Sequence, residues 1–147
     1  MTFYKQQILE ANINILTKAL VHLDFSYSKC IAIKSEQFTT DELEHLEAFA
    51  SRFSRVVDIY IKKVVRTILE IIKESQPTFL DAMHLCEKIG IIKSTEIIDR
   101  SRDLRNEIVH EYIDEDLLKL YQDMLAITPS LLSNIDNTFH YIKSNLR

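Results

Sequence analysis

Residues Thr39 to Ile72, TTDELEHLEAFASRFSRVVDIYIKKVVRTILEII, decide the fold class. Thr39 stands three positions before Glu42, the T-x-x-E pattern in which a hydroxyl and a carboxylate reciprocally satisfy the free N–H groups at a helix start. From Leu43 through Leu46, Phe49, Phe53, Val56, Val57, Tyr60, Val64, Ile68 and Ile72, apolar residues recur at helical spacing. Arg52, Arg55, Asp58, Lys62, Lys63 and Arg66 fill the remaining positions. At roughly 1.5 Å per residue this is one helix about 50 Å long. Pro77 restricts the residue before it and lacks an N–H, so Ser75-Gln76-Pro77 is expected to end it.

The same periodicity runs outward in both directions. Phe3 to about Ala32 reads as one helix, with fraying expected near Ser26, and Ile33 to Thr39 as a connector. Downstream, a short helix from Thr78 to Ile89 stops at Gly90, which suits a left-handed C-terminal cap. Ser94 can cap the next helix, whose exit lies within Tyr112 to Asp116. Leu117 to the C-terminus traces a last helix, in which Pro129 either produces a kink or opens a new segment capped by Thr128. One glycine and two prolines in 147 residues disfavour hairpin-rich sheets. The expectation is an all-α, antiparallel up-and-down bundle of about five helices in a single domain, 1–147. Its long apolar stripes leave surface for self-association.

Composition narrows the function. No uncharged 18-residue run exists to span a membrane, and Glu10 interrupts any leader-like segment, which points to a cytoplasmic chain. A formal charge of −4 argues against a general electrostatic grip on nucleic acid and leaves room only for a local basic site, with Arg102 and Arg52 or Arg55 contributing. Cys30 and Cys86 read as buried thiols. The scattered histidines form no metal-binding pattern and no phosphate-loop motif is present, so no cofactor is expected.

One segment departs from the stripe-and-surface pattern: Arg102-Asp103-Leu104-Arg105-Asn106-Glu107-Ile108-Val109-His110-Glu111-Tyr112. At about 100 degrees per residue, Asn106 and His110 share one flank, while Arg105 and Tyr112 lie beside the Leu104–Ile108 core face. Arginine offers a rigid fork of donors to a phosphate, and histidine moves protons near neutral pH. Asn106 could orient the imidazole or bind a phosphate oxygen, and Tyr112 could stack on a base. A histidine in a last turn also serves simply to complement the helix dipole, and the arginines can pair with Asp99, Asp103 or Glu107. Spacing alone leaves both readings open.

Arg105 to Tyr112 resembles the R-x4-H-x-Y signature of HEPN domains, specifically the HepT-like branch, and the related substrate-binding subunits of nucleotidyltransferases. The likeness extends over most of the chain through the order and length of the helices. It implies a dimer that brings two motifs together across a cleft, and metal-independent endoribonuclease activity by a toxin of a type VII-like toxin–antitoxin pair. Arg105 would stabilise phosphoryl oxygens, His110 would act as general acid or base, and Asn106 matches the polar residue after the arginine. Tyr112 matches the tyrosine that a cognate MNT-type nucleotidyltransferase antitoxin adenylylates. Arg102 has no counterpart in the signature. The alternative within the same likeness is a noncatalytic partner subunit of a small nucleotidyltransferase.

Overall fold

A computed structural model of the chain describes residues 2–34, 37–110 and 114–147. The described residues form helices throughout. They are α1 (Thr2–Cys30), α2 (Thr40–Ile59), a wide π-helical segment (Tyr60–Val65) that continues into α3 (Arg66–Ile71), α4 (Phe79–Ile89), α5 (Thr95–His110) and α6 (Asp114–Asn145). Since α2, the π segment and α3 make one continuous rod, five helices result, as the sequence suggests.

Local chemistry sets most of the boundaries. The Thr39 hydroxyl accepts from the Glu42 N–H at 3.1 Å, and the Glu42 carboxylate accepts from the Thr39 N–H at 3.0 Å. Thr78 caps α4 by accepting from the Asp81 N–H. Gly90 ends α4 at φ +90°, and Ile91 N–H reaches back to the Cys86 carbonyl at 2.8 Å. A left-handed residue followed by this six-to-one bond closes the carbonyl end of the helix.

Three expectations are corrected. The rod stops at Ile71, before the Ser75-Gln76-Pro77 break, because Lys73 adopts φ +60° and Glu74 N–H closes onto the Leu69 carbonyl at 2.9 Å. There is no fraying near Ser26: α1 is continuous, and Ser26 is buried with its hydroxyl 2.6 Å from Arg52 Nη1. Pro129 opens no new segment, since α6 runs through it. The buried Thr128 hydroxyl instead donates to the Met124 carbonyl within the helix. The π segment had no signal in the apolar spacing.

The Lys73 turn yields a stability prediction. A side chain at positive φ opposes the left-handed turn, whereas glycine adopts it freely. Lys73→Gly is therefore expected to raise unfolding free energy by about 0.5–1 kcal/mol, less the added chain entropy, in urea melts at unchanged m-value.

Hydrogen bonds fix the directions of the helices. Lys5 near the start of α1 reaches the Glu70 carbonyl near the rod's end, while Cys30 reaches the His45 carbonyl near its beginning, so α1 and the rod are antiparallel. α5 and α6 are antiparallel too: Ser94 N–H meets Asn134, and Arg100 meets Asp123. The four long elements alternate in direction, and α4 is a short insertion before α5. Their shared core contains Leu16 and Leu23 of α1, Phe49 and Phe53 of α2, Leu104 of α5 and Met124 and Ile135 of α6. Each such fully buried side chain contributes about 1.5–3 kcal/mol of hydrophobic stabilisation. Cys30 and Cys86 are buried free thiols, both pushed up to about 11 by desolvation. No helix among the described residues is long and apolar enough to cross a membrane.

Candidate functional site

The N-terminus of α5 is pinned. Lys93 and Ser94 donate their backbone N–H groups to Asn134 Oδ1 at 2.9 and 3.0 Å, and Thr95 N–H donates to Glu87 at 2.6 Å. That last bond holds the Glu87 carboxyl below its ordinary range. The Ser94 hydroxyl accepts from Ile97 N–H, as the expected cap requires. From there Ile98, Ser101 and Leu104 are buried, which fixes the rotation of the helix about its axis. Arg105 then falls at the edge of the buried face, against α2.

Asp58 of α2 receives it. Arg105 Nε lies 3.0 and 3.2 Å from the two Asp58 oxygens, and Nη2 lies 3.0 Å from Oδ2. The planar guanidinium therefore grips the carboxylate with two donors. Both side chains remain about one-third exposed, 29% and 33%, so the pair contributes only on the order of 1 kcal/mol after solvent screening. Lys62 approaches the same carboxylate at 3.6 Å. Arg55, one turn before Asp58, is exposed. Two lysine and arginine side chains thus flank the Arg105–Asp58 pair along the rod.

The other expected site residues are separated from this pair. Asn106 and His110 are exposed, and neither has a hydrogen-bond partner among the described residues. As the helical angles require, they lie on a different flank from Arg105, and no hydrogen bond joins Arg105 to His110. The guanidinium of Arg102 stacks over the Phe79 ring, 4.0 Å from its centroid, and ties α5 to the start of α4. Arg52 turns toward α1, where it donates to Ser26 and the His22 carbonyl. It is therefore unavailable to the local basic patch for which it was a candidate, whereas Arg55 is available. The pairing of the arginines with Asp99, Asp103 or Glu107 does not occur for Arg105, whose carboxylate comes from another helix. Glu107 instead meets Arg100 at 3.7 Å. Tyr112 lies outside the described residues.

Asp58 is the residue that sequence reasoning missed. One signal was present: between Glu47 and Glu70 it is the lone acidic residue among Arg52, Arg55, Lys62, Lys63 and Arg66. A wide π turn begins two residues later, and such turns often mark functional positions. Among the described residues no group of three or more His, Cys, Asp or Glu side chains is placed to hold a metal ion.

Compared with protein-family models, curated proteins and solved structures, the chain matches none. The geometry and the residue types therefore carry the functional argument.

Proposed function

We propose that the protein is a HepT-like, metal-independent endoribonuclease, the toxin of a type VII-like toxin–antitoxin pair, with Arg105 and His110 as its catalytic residues. The observation that supports this reading most is the placement of both within the last two turns of α5, His110 fully open to a ligand and Arg105 beside exposed Arg55 and Lys62. RNA carries its own nucleophile. His110 would take the proton of the 2'-hydroxyl as its oxygen attacks the adjacent phosphorus. The bond from phosphorus to the 5'-oxygen then breaks, and that oxygen gains a proton. The products are a 2',3'-cyclic phosphate and a 5'-hydroxyl, with no metal required. Arg105 would hold the phosphoryl oxygens as charge develops on them. A dimer that supplies the complementary flank from a second copy would complete the site, with Asn106 and Arg102 contacting RNA. Adenylylation of Tyr112 by an MNT-type partner would place negative charge near the same cations.

This reading gives Asp58 a role as competitor: an incoming phosphate must displace it from the guanidinium. Asp58→Asn removes a negative charge and weakens the fork, and is expected to tighten binding of single-stranded RNA by about three- to tenfold. The plot of log affinity against log salt should steepen by about 0.7 as Arg105 gains a phosphate. Fluorescence anisotropy with labelled RNA across a salt series measures both. Unchanged affinity and slope would remove Arg105 from the phosphate site.

A second reading, a noncatalytic partner subunit of a small nucleotidyltransferase, is favoured by one observation. The Arg105 fork is already satisfied by Asp58, as in a structural ion pair. The test is incubation of labelled total RNA with purified, metal-free protein, followed by end-group analysis. Cleavage with cyclic-phosphate ends supports the nuclease. Intact RNA together with a stable complex with the nucleotidyltransferase supports the partner subunit.

A further inference from the structure

Among the described residues, ten large apolar side chains are exposed, and seven of them lie between residues 3 and 31. The inner side of α1 is already filled, with Leu9, Leu16, Leu23 and Cys30 essentially inaccessible to water. The outer positions Tyr4, Ile8, Ala11, Ile15, Lys18, His22 and Phe25 follow alternating steps of four and three residues. All are exposed, and Tyr4 and Phe25 at the two ends are 65% and 59% accessible. Lys18 is the one charged residue in this line over three heptads. A helix face meant for water carries charge, whereas an apolar line at this spacing is the seam of a two-helix contact. α1 therefore has two contact faces, of which the fold covers one.

We infer that a second copy of this chain covers the other, with the two α1 helices antiparallel about a twofold axis near Asn14 and Ile15. The seam's own residues select this arrangement. Parallel pairing would set Lys18 against Lys18. The antiparallel register places Lys18 level with Ala11, whose small side chain leaves room for the lysine stem, and brings the ammonium within reach of Glu10. It also sets Tyr4 opposite Phe25 and Ile8 opposite Val21 and His22, and leaves Ile15 near its own symmetry mate. A cleft of about 500 Å³ bounded by Phe3, Gln7, Glu10 and Leu146 lies where the second copy's Phe25 arrives. Such a contact uses the same patch twice and closes at the dimer. It does not depend on the chemistry of Arg105 and His110, and it differs from an association built around α5, where Val109 is the exposed large apolar residue.

Sedimentation velocity of the full chain over a wide concentration range, alongside Ile15→Glu, tests the pairing. Ile15 is 43% exposed, so the variant keeps parental helix content by circular dichroism. The parent is expected to sediment as a dimer, and Ile15→Glu should weaken association at least about tenfold, because two carboxylates would be buried together at the axis. Ile15→Cys supplies the second readout. The native thiols are buried, so oxidation should link two copies through the introduced cysteine alone. Tyr4→Cys should cross-link only when Phe25→Cys is also present. A parent that stays monomeric, or a dimer that tolerates Ile15→Glu, overturns the inference. So does Ile15→Cys that fails to cross-link in a dimer.

Discussion

RNA cleavage is expected to fall by about 10²–10⁴-fold when His110 is replaced by alanine, because the proton of the 2'-hydroxyl then has no positioned acceptor. Arg105→Ala should cost about 10²–10³-fold through loss of charge stabilisation on the phosphoryl oxygens, and Arg105→Lys should recover part of that while lacking the fork. These variants separate chemistry from folding. His110 is exposed with no hydrogen-bond partner among the described residues, so its removal costs stability by less than about 0.5 kcal/mol. Arg105→Ala leaves Asp58 one-third exposed and still 3.6 Å from Lys62, so the carboxylate is not stranded and the cost stays near 1 kcal/mol. Rates on labelled RNA in chelator, with melting curves for each variant, provide the check. Folded variants that cleave as fast as a competent parent would remove both residues from the mechanism.

The helices were legible because their signals are local. A threonine and a glutamate three apart read as a capping box, and a lone glycine after an apolar run read as a left-handed cap; Thr39, Glu42 and Gly90 take those roles. Pro129 misled in one of its two readings because tertiary packing on both sides of it outweighs one missing backbone donor, and α6 continues. Lys73 was missed since nothing in a lysine announces positive φ. The candidate site was legible to the extent that it lies along one helix: the separation of Arg105 from the Asn106–His110 flank follows from the helical repeat. Its electrostatics were not. Asp58 is 47 residues away along the chain and reaches Arg105 only because Ile98, Ser101 and Leu104 fix how α5 rolls onto α2. The partners of Arg52 and Arg102, Ser26 and Phe79, are equally nonlocal.

That dependence on how α5 is seated leads to the largest stability effect expected here, at Asn134. This residue is buried, and its one side-chain oxygen accepts from the N–H groups of both Lys93 and Ser94, while its amide donates to the Ser130 carbonyl. Asn134→Ala removes the acceptor for two part-buried donors at once, and neither neighbour can rotate a backbone N–H toward water without unwinding the start of α5. Each orphaned group costs about 1–3 kcal/mol, so a total of roughly 2–4 kcal/mol is expected, with Tm lower by about 5–10 °C. Ser133→Ala, which deletes only an exposed bond from Lys93 Nζ, should cost less than about 0.5 kcal/mol. The pair of melts thus distinguishes a buried backbone anchor from a surface contact on adjacent residues. The 16-residue length of α5 puts the anchor about 24 Å from His110. Well below the melting temperature, the folded Asn134→Ala protein should therefore cleave RNA at close to the parental rate. A comparable stability loss at Ser133, or none at Asn134, would mean that α5 is seated by its apolar face alone.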